Sequence, residues 1–399
     1  MYDAIVVGAR CAGAPTAMLL ARKGHRVLLV DRATFPSDVI STHVIHQTGV
    51  GRLKQWGLLQ RLAASNCPPI TGVSFDLGPF ALTGSPPPAD GVAEAYGPRR
   101  TVLDTILVDA AVEAGAELRE RFTVSGLLTD GSRVSGVRGR SAGGAAVAEE
   151  ARIVVGADGL HSVVARSVQA PTYNAKPALT CQYYAYWSGV SVAGMELYSR
   201  PHRLIFVVPT NDGRAAIAVA WPRGEFPAVR ADIEGQFLST LDLVPGLAVR
   251  VGAGQREERY LGTADLPAFY RKPYGPGWAL AGDAGYHKDP CTGQGITDAF
   301  RDAELLAEAI DAGFSDSQPL EVALAEYERR RNAATHALYD LTCQLASLEP
   351  PPPELQQLFS ALRWNQTETN RFFGTFAGTV SIAEFFAPEN VQRIVDAAE

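Results

Sequence analysis

The segment VVGARCAGAPTA, Val6 to Ala17, lies between an apolar run and a helix-like stretch, and it decides the fold of this 399-residue chain. A dinucleotide-binding turn uses a first glycine for the sharp bend, a second for close approach of the backbone to a pyrophosphate, and a third for packing of helix on strand. Gly8 and Gly13 occupy the first and third positions, whereas Arg10 stands where the second glycine belongs. The segment predicts a phosphate-binding turn that the Arg10 side chain borders.

The residues around this turn complete a strand–helix–strand unit. An apolar strand, DAIVV, precedes the turn, and a second apolar run, Val27 to Val30, follows the C-capping Gly24. Residues at helical spacing lie between them, namely Ala14, Ala17, Met18 and Ala21. Asp31 ends the second strand at about the distance where an acidic residue accepts hydrogen bonds from a ribose. The pattern therefore predicts an α/β fold with a right-handed βαβ unit.

Two other intervals, from Phe75 to about Ala95 and from about Ala170 to Leu261, have the composition of an antiparallel sheet. Between about residues 170 and 261 the chain is rich in β-branched and aromatic residues, and two strand-like runs flank TNDGR, a hairpin signal centred on Asp212 and Gly213. After Pro319 the pattern becomes helical. We therefore predict a discontinuous nucleotide-binding domain, an antiparallel-sheet substrate domain and a C-terminal helical region. Their ranges are 1–75, 96–170 and 262–318 for the first, 76–95 and 171–261 for the second, and 319–399 for the third.

Composition excludes several classes of protein. The formal net charge of −7, without runs of like charge, argues against a nucleic-acid partner. Five cysteines without CxxC spacing suit a reducing compartment better than a disulfide framework. No apolar run approaches the about 20 residues that cross a bilayer, and the first strand follows Met1 directly, which leaves no room for a secretory signal. We expect a cytoplasmic protein without a membrane span.

Three further motifs carry a family resemblance. GADGLHSVVAR, residues 156–166, resembles the DG motif of the FAD-dependent aromatic hydroxylases, the class A flavoprotein monooxygenases, and GDAGYHKDPCTGQGITDAFRDAELLAEAI, residues 282–310, resembles their GD motif. RRTVLDTIL matches the segment in which that family places a flavin-contacting arginine, here Arg100. The motifs keep the family's order along residues 1 to about 310. The resemblance implies a Rossmann-like FAD-binding domain of the GR2 type, interrupted by the antiparallel sheet and followed by the helical segment.

The GD segment has its own physical interpretation. Asp283 ends a strand before a glycine turn, which directs its carboxylate at a sugar hydroxyl, and the resemblance identifies that sugar as the ribityl chain. TGQGI opens a helix, so its N–H groups and the positive end of the helix dipole face an electron-rich group. In the family that group is the flavin pyrimidine. The resemblance also implies that Pro290 lies over the flavin ring and that Asp158 bridges FAD and NAD(P)H.

The resulting predictions name a cofactor site and a substrate pocket. The predicted cofactor-binding residues are Gly8, Arg10, Cys11, Ala12, Gly13, Asp31, Arg32, Arg100, Val124, Asp158, Gly282, Asp283, Gly293, Gln294, Gly295 and Ile296. Substrate is expected between the flavin and the antiparallel sheet, with pocket candidates Pro290, Tyr184, Tyr186, His43 and His46. Strand alternation allows only one of the pairs Tyr184/Tyr186 and Tyr183/Trp187 to face the pocket. His43 and His46 have no third ligand in view, so we predict no metal.

The resemblance implies an FAD-dependent monooxygenase that hydroxylates a small aromatic or polycyclic molecule through a flavin hydroperoxide, in secondary metabolism. NAD(P)H is expected as a transient reductant, because no second dinucleotide fingerprint occurs, and oxygen is the co-substrate. No side chain is an obligatory catalyst, since the flavin performs the chemistry. The helical tail is expected to cover the pocket or to mediate a homodimer.

Three alternatives stay open. DPCTGQGI is close to the PLTGxGI pattern of geranylgeranyl reductases, which favours an FAD-dependent reductase. The GD region also resembles that of flavin halogenases, although the WxWxIP motif of those enzymes is absent from this sequence. A flavin-binding protein without catalytic activity is the third alternative.

Overall fold

The structure is a computed structural model that describes residues 1–315 and 317–398. Asp316 and Glu399, which fall inside two of the predicted segments, lie outside the described residues. The strands are β1 Tyr2–Val7, β2 Val27–Val30, β3 Pro69–Ile70, β4 Val73–Asp76, β5 Ala81–Gly84, β6 Ala95–Tyr96, β7 Glu117–Arg119, β8 Thr123–Asp130, β9 Arg133–Arg140, β10 Ala146–Gly156, β11 Thr172–Lys176, β12 Thr180–Ser188, β13 Met195–Arg200, β14 Arg203–Pro209, β15 Ala215–Pro222, β16 Gln255–Arg256, β17 Leu261–Thr263, β18 Ala268–Arg271, β19 Tyr274–Gly275, β20 Trp278–Leu280 and β21 Tyr286–His287. The α-helices are α1 Gly13–Arg22, α2 Gln47–Gln55, α3 Leu59–Ala63, α4 Arg100–Glu113, α5 Val163–Ser167, α6 Phe226–Ala231, α7 Ile233–Leu241, α8 Pro245–Gly252, α9 Gly295–Phe314, α10 Leu320–Leu345, α11 Pro353–Leu362, α12 Gln366–Ala377, α13 Ile382–Phe385 and α14 Pro388–Asp396.

The first sheet has the strand order β19-β20-β10-β1-β2-β7, and its strands from β20 to β7 are parallel. Helices α1, α4 and α9 cover one face, whereas β8 and β9, paired antiparallel to the start of β10, lie on the other. On β1, Ala4 and Val6 pack toward the helices and Ile5 and Val7 toward the β8–β9 side. Burial on both faces explains the uninterrupted apolar run of this strand. The predicted α/β class and βαβ unit are confirmed.

The second sheet has the order β16-β12-β15-β14-β13-β4-β5 and is antiparallel except between β13 and β4. The predicted hairpin joins β14 to β15, and Asp212 and Gly213 both have positive φ at its tip. Part of the interval predicted as sheet is helical, because α6, α7 and α8 pack their apolar faces on one side of the sheet, around Trp221 and Phe237. Apolar composition alone does not separate such short helices from strands.

The C-terminal helices cover an edge of the second sheet. Helix α10 runs along α9, and helices α11, α12 and α13 pack against Leu82 of β5 through a cluster of phenylalanines. The C-terminal helices therefore cover one side of the cavity that the second sheet lines. Covering the pocket is one of the two roles expected for them from the sequence. Among the helices of the described ranges, none is both long and apolar enough to cross a membrane.

Candidate functional site

A cavity of about 1480 Å³ lies where the first sheet, the second sheet and the C-terminal helices meet. The loops that follow β1, β2, β10 and β20 all line it, so it opens at the carboxyl ends of the parallel strands. Ligands of open α/β sheets bind at this edge. The volume exceeds the about 300–1,000 Å³ of a usual small-molecule site, which leaves room for a cofactor and a substrate together.

The glycine turn is packed too tightly for side chains at its two glycines. Gly8 has φ of 101°, and a Cβ there would lie 2.4 Å from the carbonyl oxygen of Ala157. A Cβ on Gly13 would lie 1.7 Å from the carbonyl oxygen of Gly8. Gly8 lines the cavity, whereas Gly13, predicted to bind the cofactor, is not among the described residues that line it. Gly13 serves the close packing of helix on strand instead.

Asp31 lines the cavity, and its carboxylate also holds the turn in shape. The backbone N–H of Ala9 donates to Oδ2 at 2.7 Å, and the N–H of Ala33 donates to Oδ1 at 2.8 Å. These bonds tie the glycine turn to the end of β2. The acidic residue that the sequence assigned to a ribose therefore has a structural role as well.

Arg10 borders the cavity, but its guanidinium is bound to neighbouring protein groups. Nη1 donates to Asp104 Oδ2 at 2.5 Å, and Nη2 donates to Ser37 Oγ at 2.9 Å. Arg100 donates to both oxygens of the same fully buried Asp104 at 3.0 Å. Two guanidinium groups thus share one carboxylate, which leaves net positive charge at this wall of the cavity. Sequence reasoning missed Asp104, although its i, i+4 spacing from Arg100 was a usable signal.

Two aspartates present carboxylate oxygens that described residues leave without a partner. Asp158 Oδ2 accepts from the N–H of Val163 at 2.6 Å, while the buried Oδ1 has no hydrogen-bond partner among the described residues. Burial raises the pKa of Asp158 above its ordinary value. Asp283 is exposed to the cavity and makes no hydrogen bond or ion pair within the described ranges. The exposed Asp283 carboxylate can therefore accept hydrogen bonds from a ligand in the cavity.

The start of helix α9 forms another part of the wall. Gly293 has φ of 65° and closes the turn before the helix, and it lines the cavity together with Gln294, Gly295 and Ile296. A Cβ on Gly295 would meet no described heavy atom within 4 Å, so the space above it is open. The first N–H groups of a helix have no intrahelical acceptor. This wall can therefore bind an electron-rich group.

An ion-pair network that the sequence did not predict lies under this helix start. The buried Lys288, which lines the cavity, donates to Asp298 Oδ2 and to the hydroxyl of Tyr286. Arg301 Nη1 donates to Asp298 Oδ1 at 2.7 Å. Burial acts to raise the pKa of Asp298, but Lys288 and Arg301 hold it below its ordinary value. Asp298 is thus an anion with two cationic partners.

Asp289 connects the GD segment to the second sheet. Its Oδ2 accepts from Thr180 Oγ1 at 2.5 Å, and its Oδ1 accepts from Gln182 Nε2 at 3.2 Å. Both partners belong to β12, the strand that also carries the predicted pocket tyrosines. The loop that holds Pro290 and the aromatic wall of the cavity are therefore fixed relative to each other.

The aromatic wall follows the predicted alternation in part. Tyr184 and Tyr186 lie on the His43 side of the sheet, and the hydroxyl of Tyr186 is 2.6 Å from His43 Nε2. Tyr186 does not line the cavity in the described structure, because His43 and the Arg99 guanidinium, 4.3 Å above its ring, cover it. This corrects the prediction that Tyr186 is a pocket residue. Of the opposite pair, Tyr183 also lines the cavity, whereas Trp187 packs in the core under α6–α8.

Tyr184 has a buried hydroxyl without a hydrogen-bond partner in the described residues, and it lines the cavity. Burial raises its pKa to about 12, so the hydroxyl stays protonated. His43 packs edge-on against this ring, with 5.4 Å between centroids, and burial lowers its pKa to about 3. Both side chains are therefore uncharged at neutral pH.

His46 lies where helix α2 meets the GD segment. Its Nε2 is 3.3 Å from the carbonyl oxygen of Thr292, and burial lowers its pKa to about 4. His43 and His46 both line the cavity. Within residues 1–315 and 317–398, no group of three potential ligands for a metal ion was found.

The structure brings nearly all the predicted site residues to this one cavity. Those that line it are Gly8, Arg10, Cys11, Ala12, Asp31, Arg32, Arg100, Val124, Asp158, Gly282, Asp283, Gly293, Gln294, Gly295, Ile296, Pro290, Tyr184, His43 and His46. Their individual roles in binding remain predictions.

The fold and the cavity define a flavoprotein of the Rossmann type, and the donor set fits FAD. The exposed Asp283 and the open helix start above Gly295 are groups that a bound dinucleotide would satisfy. Residues 1–342 match the family model described as FAD binding domain, and the chain belongs to this family. The protein is an FAD-dependent oxidoreductase.

Relatives in the family differ in activity. The chain is 31% identical over 344 residues to digeranylgeranylglycerophospholipid reductase 2 of Methanothermobacter thermautotrophicus, covering 82% of this chain and 83% of that protein. It is 28% identical to kynurenine 3-monooxygenase of Salinispora arenicola, covering 85% and 78%. The solved structure of the flavin-dependent brominase Bmp2 superposes with a TM-score of 0.84 at 19% identity, covering 99% and 98%. The last likeness concerns the fold alone.

Proposed function

We propose that this protein is an NAD(P)H-dependent monooxygenase that hydroxylates an aromatic or polycyclic small molecule with molecular oxygen. The observation that carries the proposal is one cavity in which residues fitted to FAD face an aromatic sheet wall that includes Tyr184. The 28% identity to a kynurenine 3-monooxygenase supports an oxygen-transferring activity.

FAD, when bound, would supply the electron and oxygen chemistry. The residues that would hold it are Gly8, Arg10, Ala12, Asp31, Arg100, Asp158, Asp283 and the helix start at Gly293–Ile296. The positive charge of the Arg10–Asp104–Arg100 cluster and the dipole of α9 would favour an anionic group at this wall.

The chain's own contribution on the substrate side is orientation and exclusion of water. The Tyr184 ring would pack against the substrate, because this residue lines the cavity and its buried hydroxyl stays protonated. Phe372 and Phe376 of α12 close the far side of the cavity with apolar surface. A dry and oriented site is what such chemistry requires from the protein.

NAD(P)H is proposed as a reductant that binds transiently at the cavity mouth. The sequence carries one dinucleotide fingerprint, around Gly8 and Gly13, and the proposed cofactor already uses it. Asp158, which lines the cavity, is the contact for the nicotinamide nucleotide that the family resemblance implies.

Labelled oxygen tests this proposal. The purified protein is first reduced by NADPH or NADH without air, then mixed with isotopically labelled dioxygen and a panel of substituted phenols, and the products are examined by mass spectrometry. One labelled oxygen atom in a product supports the monooxygenase. Reduction by neither nucleotide, or turnover without label, contradicts it.

An FAD-dependent reductase is the second candidate, favoured by the 31% identity to a digeranylgeranylglycerophospholipid reductase over most of both chains. The two candidates differ in the fate of oxygen. A reductase would saturate a carbon–carbon double bond without air, and its product would gain two hydrogens and no oxygen label. The same mass-spectrometric experiment, run anaerobically with an unsaturated substrate, separates them.

A further inference from the structure

We propose that the cavity binds an elongated apolar substrate whose body extends from Tyr184 across the second sheet to the C-terminal helices. This inference rests on the proposed oxidoreductase site and names its substrate class. Its evidence is a row of side chains, one from each of five adjacent strands.

The strand register defines this row. Tyr184 of β12 pairs with Ala218 of β15, Ala218 with Phe206 of β14, Phe206 with Leu197 of β13, and Leu197 with Phe75 of β4. All five side chains line the cavity. Four strand spacings of about 4.8 Å give the row a length of about 19 Å. One aromatic ring would cover only a fraction of that length.

The two faces of the sheet differ in how well protein covers them. On β14 and β15, the alternate residues Ile205, Val207, Ile217 and Val219 are 0% exposed, because α6–α8 pack on them. Phe206 and Ala218, one residue away and on the cavity face, keep part of their surface exposed. Apolar surface that the protein leaves open inside a cavity is typical of a site for an apolar ligand.

Aromatic rings stand at both ends of the row. At one end the Tyr184 ring packs edge-on against His43, with 5.4 Å between ring centroids. At the other end Phe75 meets Phe359 of α11 edge-on, with 6.1 Å between ring centroids, inside the phenylalanine cluster. Both ends and the strands between them therefore fit a molecule with a long apolar body.

The middle of the row is open rather than filled. Ala218 is the smallest residue of the five, and it lies next to Tyr184 across the strand pair. The neighbouring cavity-facing residues Met195, Leu204 and Val208 are apolar as well. The five residues of the row and these three neighbours carry no charged side chain.

A series of para-alkylphenols, from ethyl to dodecyl, tests the inference by titration calorimetry on the flavin-loaded protein. We expect binding to tighten by about fourfold for each added methylene, through the octyl member at least, because each methylene is removed from water along the row. Affinity that stops rising before the octyl member overturns the inference.

The Leu197→Trp variant places a larger side chain at the fourth of the five positions of the row. The variant should bind para-ethylphenol with the same affinity as the unmodified protein. Its affinity should stop rising at a shorter alkyl chain than that of the unmodified protein does. Its matched control is Tyr198→Trp, one residue along the same strand and on the opposite face, which should keep the full dependence on chain length. Identical chain-length profiles for Leu197→Trp and the unmodified protein contradict the proposal. If Leu197→Trp does not fold, Ala218→Leu provides the same test.

The flavin absorbance of the same samples separates the two proposals. A flavin-loaded, redox-active protein without chain-length dependence contradicts only the elongated substrate. A protein that gains affinity along the series but is reduced by neither NADPH nor NADH supports the subsite and contradicts the proposed monooxygenase.

Discussion

The two ends of the cavity are built in different ways. One end is formed by the glycine turn, the Asp158 turn and the start of α9. In these short segments, backbone groups and closely packed glycines form most of the cavity wall. The end formed by the second sheet consists of single side chains contributed by five strands and by the C-terminal helices. We call them the cofactor end and the sheet end.

This difference teaches where substitutions will be tolerated. At the cofactor end, a change meets backbone atoms or buried charges that cannot move, as at Gly8 and Asp104. At the sheet end, side chains such as Phe206 face open space, so their size can change without disturbing the core. The cofactor end should therefore resist change, and the sheet end should set substrate preference.

The largest effect is expected for Asp104→Ala. This substitution leaves the buried Arg100 without its carboxylate partner, and removal of one partner of a buried pair costs about 3–5 kcal/mol in the free energy of unfolding. Urea denaturation measures this loss. Asp109→Ala, at an exposed position of the same helix, is the control and should change stability by less than about 0.5 kcal/mol. If Asp104→Ala lowered the free energy of unfolding as little as Asp109→Ala, the cofactor end would not be less tolerant of substitution than the sheet end.

The next largest effect concerns pH, at the place where the two ends meet. Burial lowers the pKa of His46 to about 4, against about 6.5 in an unfolded chain. Between these two pH values the imidazole is protonated in the unfolded state and neutral in the folded state, so the unfolded state binds more protons. Stability from this residue is complete above about pH 6.5 and falls as the pH drops toward 4, by about 2 kcal/mol between pH 6.5 and 5.

The His46→Asn variant isolates that contribution from the other titrating groups. Its unfolding free energy, measured by urea denaturation from pH 8 to pH 5, should fall less steeply than that of the unmodified protein. Parallel curves for the two proteins would show that His46 titrates normally in the folded state.

A smaller effect, on binding alone, is expected for Asp283→Ala. The carboxylate faces the cavity and has no described protein partner, so its removal should weaken FAD retention by about tenfold and leave the stability of the flavin-free protein unchanged. Equilibrium dialysis with FAD measures the change. Asp242→Ala, an exposed carboxylate outside the cavity, is the control. Unaltered retention in Asp283→Ala would reject the placement of FAD at this wall.

The smallest effect on the fold is expected for Tyr184→Phe at the sheet end. Because no described residue bonds its hydroxyl, removal of that group should change the unfolding free energy by less than about 0.5 kcal/mol and leave FAD retention intact. Binding of phenols should change little in calorimetry, because the hydroxyl has almost no surface open to the cavity. A loss of stability above about 1 kcal/mol would show that the hydroxyl has a structural role.

Much of the cofactor end could be predicted because its features are local. The glycine turn, the Asp283 turn and the TGQG helix start each occupy a few consecutive residues, and their geometry follows from glycine and helix-terminus chemistry. The role of Asp31 in holding the turn and the Lys288–Asp298–Arg301 network depend on contacts between distant segments, and the sequence did not reveal them. Tyr186 was misplaced for the same reason, because Arg99 and His43 cover it from other segments.

The sequence by itself determined the α/β class, the order of the cofactor motifs and the hairpin at Asp212–Gly213, because hydrophobic period and turn chemistry act between near neighbours. Tertiary structure alone decided that Arg10 points to Asp104 and Ser37, and that the row from Tyr184 to Phe75 crosses five strands under the C-terminal helices. Strand register and the docking of distant helices bring these residues together, and both depend on the packing of the whole chain.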